Sequence, residues 1–445
     1  MQPLTKQKYF YFITFMLMAS TFLPLLFNNL PPVIRSHHLW TFIWCISLLL
    51  FYPQIFSNKV MVYVLAYGLF IFIAAKTIWS SMDDWNFNQL FNEFYEITLG
   101  ISVITYFHQS KDFISLAKIT RWSIVFICIT AIMTIISSTI DPMYARNITG
   151  LAEVTVESER EAILSFKRYG GGTYSTAAAF MCLFPIVIYY YKNIKISLIS
   201  KRQIIIISII IFFALLAMQI FGNILIAIVF GVIALLSMKK IKQSILIICL
   251  FFSILVIIPK EVYINSLLSI SNFFEKDSEL NYKFKDLALF IETGADIKDN
   301  TTSVAGRVKR YPLLMETFIK SPLLGCYFFS DKDGNGYSQE GAHLHWMNKL
   351  TITGIVGLIL FLIIPFSFIK NNLQHYDSAY IFYYILASLS IISYGLMKTI
   401  VGRETWYAFF IILPGMYYLP LIKKKNKLHL LSDNSIKQQA LKDFI

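Results

Sequence analysis

The sequence predicts an all-α protein, a polytopic helical membrane protein with about twelve transmembrane helices and a large outer loop containing short helices. Three observations predict it. Of 445 residues, 56% are hydrophobic and only 15% charged, where a soluble domain carries about 25% charge. Apolar runs of about 17–25 residues recur along the chain, enough to cross a hydrocarbon core of roughly 30 Å. Lys and Arg gather in alternate connections, the pattern that sets orientation in a membrane. The sequence has none of the ten-residue alternating segments that mark a β-barrel.

Taken in order, the predicted spans are 10–27, 39–56, 60–79, 94–107, 120–138, 174–191, 204–220, 222–238, 244–258, 345–369, 380–397 and 406–421. The first follows Lys6 and Lys8, as a signal peptide would. No small-residue cleavage site followed by a soluble domain comes after it, so it reads as an uncleaved anchor. One set of connections holds Lys59, Lys111, Lys118, Arg121, Lys192, Lys195, Lys201, Arg202, Lys239, Lys240, Lys242 and Lys370. Both termini fall on that side, and Lys423, Lys424, Lys425 and Lys427 extend it. That side is expected to be cytoplasmic. The net charge of +13 is then topology and attraction to anionic lipids. It leaves no folded basic domain for a nucleic acid.

The chain divides into residues 1–258 with nine spans and an outer loop near 139–173, an outer loop 259–342, three spans in 343–421, and a basic tail 422–445. The second outer loop, of about 84 residues, is too long for a plain connector. Within it, residues 307–320 have helical spacing, with Leu313, Leu314, Thr317 and Phe318 as the apolar set and "SPLLG" as the stop. Cys45, Cys128, Cys182 and Cys249 lie in spans and Cys326 stands alone outside, so no disulfide between outer loops is expected.

Positive charge gathers at three outer places. In "FKRYGGGTYST", Lys167 and Arg168 precede Gly170, Gly171 and Gly172. Glycines admit close backbone approach, and amides ahead of a helix starting near Tyr174 suit an anion. The alternative is a loop with two solvated cations. In "SVAGRVKRYPLLMETFIKSPLLG", Arg307, Arg310 and Tyr311 share one helical face. Guanidinium binds phosphate with a bidentate fork; contact with lipid headgroups is the alternative. In "GAHLHWMNKL", His343 and His345 stand at the mouth of the tenth span, with Glu340 able to orient either ring. Histidine is a good general base near neutral pH, although His and Trp are also ordinary interfacial residues. Two histidines at i and i+2 are not a helical zinc pair, so no metal is expected. Lys76 and Lys349 lie near span ends and are expected to snorkel, while Glu93 and Glu96 flank the start of the fourth span.

Together these stretches resemble the O-antigen ligase and O-antigen polymerase superfamily. Arg168 precedes "GGGTYST"; Gly306-Arg307 opens a helix ending in Ser321, Pro322 and Gly325; His343 stands eleven residues before Gly354, which forms a Gly-x-x-Gly with Gly357. These anchors involve roughly fifty residues; elsewhere the similarity is one of hydropathy. Leu344 stands where the family usually has a small polar residue, and "IFGNIL" lacks the arginine of the family's Ser-Arg pair. Some members read "HLHN", which favours His345; the glycine spacing favours His343. A helix beginning only at His345 would leave their order open.

The resemblance implies a membrane glycosyltransferase acting on the periplasmic face of the bacterial inner membrane. The donor is a glycan on undecaprenyl diphosphate. The acceptor is lipid A–core for a ligase, the preferred reading, or the growing glycan for a polymerase. Transfer proceeds with inversion and needs no cofactor. His343, with His345 as second choice, is the expected base. Arg168, Arg307, Arg310, Tyr311, Gly171 and Glu340 are the expected donor-binding residues. The rival class is a polysaccharide transporter or flippase.

Overall fold

The computed structural model describes residues 3–77, 84–140, 169–237, 259–274, 276, 279–293, 304–325, 344–400 and 402–423. Every element described there is helical. The elements are α1 (Pro3–Phe22), α2 (Pro24–Phe27), α3 (Pro32–Arg35), α4 (His37–Phe51), a 3-10 turn (Pro53–Ser57), α5 (Lys59–Thr77), α6 (Asp84–Gln109) and α7 (Phe113–Ile140). Then come α8 (Tyr174–Lys192), α9 (Lys201–Ala217), α10 (Phe221–Leu236), α11 (Lys260–Ser271), α12 (Glu279–Thr293) and α13 (Val304–Lys320). The chain closes with α14 (His345–Leu373), α15 (Ser378–Met397), α16 (Arg403–Tyr407), a π-helical turn (Ala408–Ile412) and α17 (Leu413–Met416).

Each predicted span falls on one of these elements except the ninth, which lies outside the described residues. Four helices, α7, α8, α14 and α15, are long and apolar enough to cross a membrane. Helices α4 and α10, and α5 as far as Ala75, are apolar but shorter. Those three fall short in length, whereas α6 and α9 carry charge. Helix α6 begins Asp84-Trp85 and carries Glu93 and Glu96, and α9 begins Lys201-Arg202.

Helix α8 lies at the centre, against α9, α10, α15 and α16. Its small residues Ala177, Ala178 and Ala179 are buried and let neighbours close in. The π-helical turn packs beside it and is buried throughout. Helices α1, α4 and α7 form one flank. Helices α5, α6 and α14 form another.

The loop 259–342 contains α11, α12 and α13. Helices α11 and α12 pair as a hairpin: the Asn281 amide donates to the Ser271 carbonyl (2.8 Å), and Phe284 stacks on Phe274. Phe284 also meets Phe221 at the start of α10 edge-on. Helix α13 starts three residues earlier than the spacing predicts. Leu314 and Thr317 are buried as expected, whereas Leu313 is exposed.

The predicted tenth span is broken. Gly354, inside α14, has φ +65°, a left-handed conformation that breaks the helical ladder. The chain after α13 fills the break: Ile355 donates its amide to Pro322 O (2.9 Å) and Val356 to Leu323 O (3.1 Å). A Cβ on Gly354 would lie 2.4 Å from Leu323 O, and one on Gly325 (φ +75°) 2.0 Å from Ile352 O. Ser321 closes the turn through its hydroxyl to Gly325 O (2.8 Å). Two glycines in left-handed geometry thus join the loop helix to α14 backbone to backbone.

Candidate active site

Helix α14 begins at His345, and its N-cap, Leu344, is a buried residue at φ +66°. A bulky residue in that region is an outlier, which an over-determined surrounding must hold. The surrounding is visible. The His345 amide faces Lys398 O (3.4 Å), and the Ile400 amide donates to His345 Nδ1 (3.4 Å). With Nδ1 accepting, the other nitrogen, Nε2, lies 3.3 Å from Glu93 Oε1. Lys349, one helical turn on, ion-pairs with the other oxygen of Glu93 and donates to Tyr67 Oη at 3.3 Å. Trp346, Phe361 and Trp406 pack around the imidazole.

This corrects the expectation for Lys349. A lysine near a span end can snorkel if nothing holds it. Here Glu93, from α6, faces it, and the ammonium is buried over the Phe361 ring at 4.7 Å. Glu93, His345 and Lys349 form a buried cluster drawn from two helices.

Beside it, α16 begins with a second group. Gly402 has φ +83° and stands against Ser175, whose hydroxyl donates to Glu404 Oε2 (2.6 Å). Arg403 is close enough to Glu96 and His37 to act on both electrostatically. The signal for these residues was present: "GRETW" puts two charges at the mouth of the last apolar run. The sequence reading passed over it because no motif attaches to it.

The glycine stretch is placed differently from the expectation. Gly170 (φ +63°) backs directly on Leu25, where a Cβ would lie 2.3 Å from the Leu25 nitrogen. The Gly172 amide donates to Thr134 Oγ1 (2.6 Å), and Gly171 is buried. Thr173 and Thr176 close a capping box over the start of α8. The close approach is to the protein's own helices, and the helix start is capped by its own threonines.

Arg310 is partly buried. Tyr311 donates its hydroxyl to Leu396 O (3.0 Å) at the end of α15, and burial raises the phenol above its ordinary pKa, so it is a donor at any working pH. Arg307 lies in the first turns of α13, its side chain outside the described residues. His343, Arg168 and Glu340 also lie outside them. The contacts between α13 and α14 advance in the same chain direction. Thr351 donates to Leu314 O (3.2 Å), and further on Ile355 and Val356 meet Pro322 and Leu323. The arginine-bearing end of α13 therefore lies toward the histidine-bearing end of α14.

No protein-family model matches the chain, and no curated protein matches it.

Proposed function

We propose that the chain is a glycosyltransferase of the bacterial inner membrane, of the O-antigen ligase type. In this reading twelve spans hold both termini in the cytoplasm, and 259–342 is a periplasmic loop over the site. The observation that carries the reading is the docking of α13 along α14. It supports a common site for two of the three sequence anchors, the "GR" helix and the histidine stretch. In the reaction an acceptor hydroxyl on lipid A–core attacks the anomeric carbon of the donor. The bond from that carbon to the undecaprenyl diphosphate oxygen breaks, the configuration inverts, and the proton passes to His343. Arg168, Arg307 and Arg310 meet the charge that develops on the leaving diphosphate, the kind of fixed stabilisation that lowers a barrier most. Glu340, Tyr311 and Gly171 are the remaining proposed donor contacts. His345 acts through position, since both ring nitrogens already face protein partners.

The buried Glu93–Lys349 pair favours a second reading, an ion-coupled transporter, because ionisable groups inside spans often mark transport paths. One comparison separates the readings. In a deletion strain, loss of all O-chain from the lipopolysaccharide core means ligase; core bearing a single repeat means polymerase. Glycan polymer held inside the inner membrane means transporter. With purified protein and a polyprenyl-diphosphate-linked glycan, Arg307→Ala lowers transfer by about 10²–10³, the cost of one preorganised donor. Arg307→Lys recovers little, lacking the fork. Full transfer by Arg307→Ala at normal expression rejects the assignment.

A further inference from the structure

A groove of about 220 Å³ opens between α7, α8, α9 and the turn after α17. That exceeds the roughly 150 Å³ apolar cavity that admits benzene. Its walls are hydrocarbon, among them Ile124, Val125, Val187, Ile204 and Leu419. Among the described residues one cation lines it, Arg121 of α7. Arg121 is exposed, and no described carboxylate pairs with it. Two of the walls, α7 and α8, are helices long and apolar enough to cross a membrane.

Further basic residues belong to the elements that form the groove. Lys118 is exposed one turn before Arg121. Lys201 and Arg202 open α9, with the Lys201 ammonium over the Tyr191 ring at 4.5 Å. Lys423 reaches the Lys195 and Ser197 carbonyls, each at 3.3 Å, on the connection between α8 and α9. Ser197 and Ile199 of that connection line the groove. An apolar slot with a guanidinium at its mouth and ammonium groups around it matches one kind of molecule: a hydrocarbon chain ending in an anion. Basic residues at a membrane surface attract anionic lipid, and guanidinium takes phosphate by its fork.

We infer that this groove binds one anionic phospholipid from the leaflet at the lysine-rich end, an acyl chain between α7 and α8 and the phosphate at Arg121. The lipid bridges α7 to the α8–α9 connection and so holds the turn after α17 in place. The inference rests on these helices crossing a membrane and not on the transferase chemistry, so retention of lipid is tested without any activity.

The full chain, purified in detergent and stripped of lipid, is offered phosphatidylglycerol and phosphatidylcholine with identical acyl chains. Bound lipid is counted by native mass spectrometry. The protein retains phosphatidylglycerol in preference. Arg121→Gln, a change at an exposed position, lowers that retention roughly five-fold, the size expected for one basic residue near an anionic surface. Val187→Trp fills the groove and lowers retention of both lipids. Lys370→Gln, exposed and outside the groove, leaves retention unchanged. Equal retention of the two lipids by the unaltered protein overturns the inference. So does a loss in Lys370→Gln as large as in Arg121→Gln, which would make the effect one of general surface charge.

Discussion

Where α14 and α16 begin, the polar groups inside the bundle are ionic: Glu93 with His345 and Lys349, and Glu404 with Ser175. Where α8 and α17 end, no carboxylate meets a lysine among the described residues, and phenols are prominent. Tyr190 donates to Met416 O, Tyr380 to Leu413 O (2.5 Å), and Tyr376 packs against Tyr380, Tyr384 and Tyr417. Two of these phenols, Tyr190 and Tyr380, solve a local problem. The last carbonyls of a helix have no partner within it, and a neutral hydroxyl satisfies them cheaply while its ring fills space. The ionic end solves no such problem. A buried ion pair costs desolvation that well-packed apolar residues avoid. Charge retained there points to use, and the chemistry is sought at that end.

The contrast breaks hardest at Glu93. Glu93→Ala strands Lys349 and is expected to cost about 3–5 kcal/mol, as for any buried pair cut on one side. Thermal melting of the purified chain measures it. Glu93→Met with Lys349→Met recovers most of the loss, since no charge is then left alone. A melting shift for Glu93→Ala no larger than that of a single phenol change removes the distinction between the two ends.

Next in size is the joint between α13 and α14. Gly354→Ala forces a side chain into φ +65° and onto Leu323 O. A non-glycine residue in that region costs up to about 3 kcal/mol. The expected result is faster proteolysis between α13 and α14 with the rest of the bundle intact; an unchanged cleavage pattern shows that the joint does not hold the loop.

The histidines sharpen the comparison within the ionic end. His345→Ala removes an imidazole whose Nε2 lies 3.3 Å from Glu93 Oε1 and is expected to cost about 1–3 kcal/mol of stability, with transfer per folded molecule largely kept. His343→Ala does the reverse, abolishing transfer with an unchanged melting temperature. Loss of transfer in well-folded His345→Ala reverses the two roles.

The smallest effect belongs to the phenols. Tyr380→Phe gives up one hydroxyl to Leu413 O and is expected to lower stability by about 1 kcal/mol. The same melting experiment reads it, and a shift near that of Glu93→Ala means the phenol end is not the passive one.

Helix positions were legible because their causes are local. An apolar run of sufficient length forms a helix wherever its neighbours are. The histidine stretch, Glu93 and the "SPLLG" stop could be singled out for the same reason: each is an unusual residue type in its own surroundings. Partners could not be read. Glu93 and Lys349 stand 256 positions apart, and no periodicity links them. Lys349 read as a snorkelling lysine because every local cue agrees with that; only the Glu93 side chain, reaching in from α6, replaces water with a carboxylate. The spacing of Gly354 read as distance from a catalytic histidine. Tertiary structure gives it a mechanical cause, the entry of Pro322 and Leu323 carbonyls into a broken helix. Gly170 read as room for a ligand, and the room is taken by Leu25. Burial, pairing and left-handed backbone are properties of two segments at once, so composition and spacing within one segment do not carry them.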